Sequence, residues 1–141
     1  MKKIIFMGKT GCGKTTLTQV MRGEGITYHK TQYINHYDCI IDTPGEYAEN
    51  KLLGRALALY SYEADVVGLL LSATEEYSLF PPCITGMCNR DVIGIVTQID
   101  RADANVMRAK EWLSLAGCTT IFCVSAVTGE GIDRIYDYLA Q

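Results

Sequence analysis

Positive charge is scarce in this sequence. Thirteen lysines and arginines stand against 16 aspartates and glutamates, a net charge of −3 over 141 residues. No basic surface therefore argues for nucleic acid, although a nucleotide asks only for a local positive site that a mildly acidic chain can build. Long apolar runs are missing as well. Ile4 to Met7 stops at Gly8, too short for a secretory core, and Val66 to Leu71 falls far below membrane-spanning length. A cytoplasmic chain with no membrane partner is expected. The six cysteines (Cys12, Cys39, Cys83, Cys88, Cys118 and Cys123) lack zinc-finger spacing. Only Cys83 and Cys88 are close, and no second pair or histidine follows them. They read as reduced thiols used as small core residues, with Cys39 and Cys123 in apolar runs that suit buried strands. His29 and His36 read as solvent-facing or hydrogen-bonded rather than as metal ligands. No repeat, low-complexity tract or linker divides the chain. One domain over residues 1–141 is expected, large enough to bury a core without covalent staples.

What is present is an ordinary globular composition, 48% apolar and 21% charged, in which short apolar runs alternate with helical segments. That alternation signals an α/β fold with a mostly parallel sheet. Strands are expected at Ile4 to Met7, Val66 to Leu71, Val92 to Val96 and Thr120 to Val124, with a hairpin from Thr31 to His36 and Asp38 to Ile41. Helices are expected at Lys14 to Arg22, Asn50 to Tyr60, Asp103 to Leu115 (closed by Gly117) and Ile132 to Leu139. Ser72 to Asn89 reads mostly as loop, with Pro81-Pro82 starting a short helix. The total is about six strands and five helices.

Four motifs carry chemistry. Gly8-Lys9-Thr10-Gly11-Cys12-Gly13-Lys14-Thr15 fits G-x₄-G-K-[ST] between a strand and a helix. Its glycines let backbone N–H groups, including those of Gly11, Cys12 and Gly13, curl round phosphate oxygens, and the helix amino terminus adds partial positive charge there. Lys14 is expected to reach the β- and γ-phosphates and Thr15 to ligate Mg²⁺, with Thr16 beside them. Asp42-Thr43-Pro44-Gly45 follows the apolar run Cys39-Ile40-Ile41, 28 residues after Lys14. Asp42 can hold Mg²⁺ through water and the Gly45 N–H can meet the γ-phosphate; a plain turn is the alternative. Thr97-Gln98-Ile99-Asp100 ends another strand, where Asp100 can accept hydrogen bonds from guanine N1–H and its exocyclic amine. Adenine lacks that pair, so such a site rejects it; a helix-capping or turn aspartate is the alternative. Ser125-Ala126 lies 25 residues beyond Asp100, where a backbone N–H could touch a base carbonyl.

In this order the four motifs give a chain that resembles the Ras-like and Era-like P-loop GTPase superfamily, which implies a three-layer α/β fold. The resemblance implies a switch threonine before Asp42 as a second Mg²⁺ ligand; Thr31 is the choice and Thr27 the competitor. More closely, Lys30-Thr31-Gln32, Asp42-Thr43-Pro44-Gly45-Glu46-Tyr47 and Phe80-Pro81-Pro82 make the chain similar to the ethanolamine-utilisation protein P and propanediol-utilisation protein V family. That likeness implies a role in bacterial ethanolamine or propanediol breakdown, association with protein-shelled microcompartments, and an acetate kinase activity attached to the ethanolamine branch. Departures from the superfamily pattern accompany it. Gln98 replaces the usual lysine, and Thr97 the commoner asparagine. Glu46 stands where a water-orienting glutamine is usual, so slow hydrolysis is expected.

Three functions follow. One is a slow GTPase-like switch binding GTP or ATP with Mg²⁺, with Lys14, Gly45 and Glu46 at the reaction centre. Another is a kinase transferring phosphoryl between ATP and acetate. The third is a non-hydrolysing module docking on a microcompartment shell or enzyme through Tyr28, Tyr33, Tyr37 and Tyr47 or the Phe80–Cys88 loop.

Overall fold

The computed structural model describes residues 2–8, 13–21, 40–41, 64–76, 80, 82–88 and 90–140. Among them run five strands: β1 (Ile4–Gly8), β2 (Ile40–Ile41), β3 (Val66–Ser72), β4 (Asp91–Thr97) and β5 (Thr120–Cys123). Three α-helices accompany them, α1 (Lys14–Met21), α2 (Val106–Ala116) and α3 (Ile132–Leu139), together with a 3₁₀ turn at Ile84–Met87. The strands form one sheet in the order β2-β1-β3-β4-β5, and each pair is parallel. The expected helix at Asn50 to Tyr60 and the first arm of the hairpin lie outside the described residues. Ile40 and Ile41, from the expected Asp38 to Ile41 strand, pair in parallel with Ile4 and Ile5 of β1.

Two apolar clusters explain why the strands read as continuous hydrophobic runs. Ile5 and Met7 of β1 join Val67, Leu69 and Leu71 of β3 and Leu113 of α2 on one face. Ile4, Phe6, Val66 and Leu70 join Leu17 of α1 and Leu139 of α3 on the other. Alternate residues point to opposite faces, and both faces are covered, so no position in β1 or β3 is left for a polar side chain until Ser72. The result is three layers, with α2 on one side and α1 and α3 on the other. Close approach of α2 to the sheet depends on Gly94, since a Cβ built there would lie 3.0 Å from Leu113 Cδ1. The Tyr136 hydroxyl of α3 donates to the Met21 carbonyl, tying α3 to the last turn of α1.

Several expected boundaries move. α2 begins at Val106, not Asp103, because the Asn105 side chain accepts from the Arg108 N–H at 3.1 Å and caps the helix. Its other end is where Gly117 was expected to close it, with φ at +112°. β3 and β4 each run longer than their apolar cores, since the ladder continues through Ser72↔Thr97. Cys123 is half-buried rather than a core thiol, because β5 pairs with β4 alone among the described residues. The Phe80–Cys88 segment exposes Pro82, Cys83 and Gly86 but is fastened to the domain at two points. Phe80 is only 6% exposed and belongs to the α2-side cluster, and the Cys83 N–H donates to the Leu115 carbonyl at 2.9 Å. No helix among the described residues is long and apolar enough to cross a membrane.

Leu113→Ala should cost about 2–5 kcal/mol in urea unfolding, because a fully buried side chain leaves a cavity between α2 and the sheet. Burial pushes the Cys118 thiol up to about 11 from its ordinary value near 9.0. The unfolded thiol therefore ionises first as pH rises, so this contribution to stability is intact below pH 9 and is lost towards pH 11. Iodoacetamide at pH 8 should label exposed Cys83 in the native protein and reach Cys118 only on unfolding. Equal labelling of both in the folded state would contradict this packing.

Candidate functional site

The strand order places a reversal at β1, with β2 on one side of it and β3 on the other. In open parallel sheets ligands bind in the crevice beyond the carboxyl ends of strands flanking such a reversal. Gly8 ends β1 there, and Gly13 precedes α1. Gly13 has φ at +92°, and its carbonyl accepts the first helical bond from the Leu17 N–H at 2.9 Å. A Cβ at Gly13 would meet nothing closer than 3.5 Å. Backbone conformation, not crowding, is what demands glycine at this position.

The end of β4 comes to the same place. Thr97 is buried, and Gln98 turns the chain with φ at +58°, a conformation uncommon for a residue with a Cβ. The Arg101 N–H closes that turn on the Gln98 carbonyl at 3.2 Å, leaving Asp100 at its exposed tip. Beyond β5, the buried Ser125 sits in a second turn, with its carbonyl accepting from the Gly129 N–H at 2.8 Å. Its hydroxyl donates to Asp100 Oδ1 at 2.8 Å and accepts from the Thr128 N–H at 3.1 Å. Ser125 thus orients the carboxylate, whose two oxygens retain further accepting capacity.

A cavity of about 230 Å³ opens between these turns and the start of α1. Gly13, Thr16, Thr97, Gln98, Asp100 and Ala126, all expected from the sequence, line it. The chain thereby brings Gly13 and Thr16, the T-Q-I-D segment and Ala126 together. Lys14, half-buried, begins α1 with Thr15 next to it. Gly11, Cys12, Thr27, Thr31, Asp42, Gly45 and Glu46 lie outside the described residues, as do Tyr28, Tyr33, Tyr37 and Tyr47. Among the described residues no group of three or more His, Cys, Asp or Glu side chains could hold a metal.

Besides the buried Leu17 and Val124, which also line the cavity, three contributors were not foreseen. Arg101 and Val127 line the cavity, and Val127 is 80% exposed, an apolar side chain at the rim. Its position directly after Ser125-Ala126 was the available signal. Ser72 was the third, donating to Gln98 Oε1 at 2.6 Å across 26 residues of sequence. Only the β3–β4 register joins those two.

Over residues 1–141 the chain matches the family described as "PduV-EutP: Ethanolamine utilisation - propanediol utilisation". It belongs to that family. Among curated members, it is 44% identical to "Propanediol utilization protein PduV" of Citrobacter freundii, over 99% of this chain and 93% of that one. It is 31% identical to "Probable acetate kinase EutP" of Salmonella typhimurium, over 99% and 90% respectively. The fold is that of P-loop GTP-binding proteins. A crystal structure from Plasmodium falciparum, described as nucleolar GTP-binding protein 1, superposes with a TM-score of 0.63 at 17% identity, over 99% of this chain and 84% of that one.

Gly13→Ala should lower stability by about 1–3 kcal/mol in denaturant unfolding, since alanine must hold the same positive φ. An unchanged midpoint would mean that the turn before α1 relaxes freely.

Proposed function

We propose that this PduV-EutP family member is a single-domain protein that binds a nucleoside triphosphate with Mg²⁺, favours guanine, and hydrolyses slowly. The observation that carries this reading is the meeting of Gly13 with Asp100 and its Ser125 partner around one cavity. The phosphate end and the base end of a nucleotide site are thus adjacent. In this reading the amides around Gly11 to Gly13 cradle the phosphates. The Lys14 ammonium, at the head of α1, neutralises the β- and γ-oxygens. Asp100, oriented by Ser125, accepts from the guanine edge, and Thr97, Gln98 and Ala126 bound the base. Thr15, Thr31 and Asp42 would hold Mg²⁺, an all-oxygen donor set that suits a hard cation. The ion supplies charge neutralisation on the polyphosphate. Gly45 and Glu46 would sense the γ-phosphate and order the attacking water.

A second reading, phosphoryl transfer between ATP and acetate, is supported by the printed name of the Salmonella relative and by Gln98 standing where guanine-specific proteins carry lysine. Docking on a microcompartment shell or enzyme is compatible with either.

Lys14→Ala should weaken nucleotide binding by about a hundredfold in titration calorimetry, with the folded circular-dichroism spectrum kept. Undiminished affinity would refute the phosphate assignment. Asp100→Ala should weaken Mg-GTP binding by about a hundredfold and leave Mg-ATP nearly unchanged, because the guanine donors lose their acceptor. Incubation with each nucleotide, with and without acetate, then separates the activities. Inorganic phosphate marks the hydrolase, acetyl phosphate the kinase, and no product the docking module.

A further inference from the structure

β3 carries apolar side chains from Val66 to Leu71, interrupted by Gly68, and then ends on a serine that is almost completely buried. A buried hydroxyl must be hydrogen-bonded to be tolerated, so its partners reveal what it is for. Ser72 Oγ accepts from the Thr74 N–H at 3.2 Å and lies 2.8 Å from Thr74 Oγ1. Its own single proton goes to Gln98 Oε1 at 2.6 Å. The Thr74 hydroxyl must then be the donor in their mutual contact, and Ser72 is saturated with one bond donated and two accepted.

This arrangement decides which way the Gln98 amide points. With Oε1 held by Ser72, Nε2 is turned the other way, towards the turn before α1. It is the atom nearest to where a Cβ on Gly13 would lie, at 3.5 Å. Gln98 and Gly13 both line the cavity. The Gln98 backbone is itself held at φ +58°, so side chain and main chain are constrained together. A lysine here could not accept from Ser72, having donors only. The serine and the glutamine are therefore matched to each other.

We propose that Ser72 is a positioning residue of the nucleotide site. It locks the Gln98 amide so that a neutral N–H donor faces Gly13 at the junction of the base and phosphate ends. This inference rests on the nucleotide-binding reading above. It adds a residue, outside all four motifs, on which affinity for the nucleotide depends.

A double-mutant cycle read by Mg-GTP calorimetry tests it. Ser72→Ala should weaken binding about tenfold when Gln98 is present, and by less than about twofold in a Gln98→Met background. The lost Thr74 contact is common to both backgrounds, so it cancels. Equal losses in the two backgrounds, or no loss in either, would overturn the proposal. Gln98→Glu supplies a second arm that leaves Ser72 untouched. Its carboxylate still accepts from Ser72 but turns the donor facing Gly13 into an acceptor. Binding should fall at least about tenfold with the nucleotide-free unfolding midpoint unchanged. Unaltered affinity, or a loss matched by a lower midpoint, would count against a positioning role. If the unaltered protein binds Mg-GTP no better than Lys14→Ala does, the nucleotide-binding reading itself fails and this inference goes with it. If it binds normally and the cycle is flat, the positioning of Gln98 alone is refuted.

Discussion

Because β1, β3, β4 and β5 run parallel in one hydrogen-bonded sheet, their carboxyl ends meet at a single edge. The buried serine and threonine side chains among the described residues are gathered there. The buried polar side chains are Ser72, Thr97 and Ser125, at the end of β3, at the end of β4 and just beyond β5. Each lies where its strand emerges from the apolar layers. A parallel sheet covered on both faces can accept such groups only at its ends, since anywhere else they would lack partners. The ladder pairs Ser72 with Thr97 and Val96 with Cys123, so the turns that follow start level with one another.

That alignment converts separate segments into one site. The Ser125–Asp100 bond crosses from the β5 turn to the β4 turn, and the Ser72–Gln98 bond crosses from β3 to β4. Both orient an acceptor or donor that would otherwise sample many rotamers at the surface. Preorganised groups of this kind strengthen binding by reducing what must be ordered when a ligand arrives. The same logic explains Gly13 and Gln98, two residues at positive φ that both line the cavity. Unfavourable backbone conformations persist where surrounding structure over-determines them, and sites are where that happens.

Family membership and geometry contribute different things. The match over the whole chain assigns the PduV-EutP family, while the superposition at low identity speaks to fold alone. The names carried by relatives differ, one a propanediol utilization protein and one a probable acetate kinase. What distinguishes those chemistries is not the P-loop, which any nucleoside triphosphate would occupy. It is the group that receives the phosphoryl and the group that reads the base. In the proposed site, Gln98 and Asp100 would stand at the base-reading end, the more informative of the two.

The main strand positions, the boundaries of α3 and the segments after β4 and β5 that line the cavity were legible in the sequence. Buried parallel strands must be continuous apolar runs, and loops that cradle a ligand need glycine or polar residues at set places. The start of α2 was expected at Asp103, and only the hydrogen bond from the Arg108 N–H to the Asn105 side chain fixes it at Val106. Cys123 is less buried and Phe80 more buried than expected, for a related reason. An apolar residue's exposure depends on what covers its strand or loop, and neighbours in sequence do not reveal that. Local order thus determined which segments become strands and which residues could serve a nucleotide. Tertiary structure alone decided that Ser72 meets Gln98 and that Ser125 meets Asp100, because contacts across 26 and 25 residues exist only once the register of parallel strands is set.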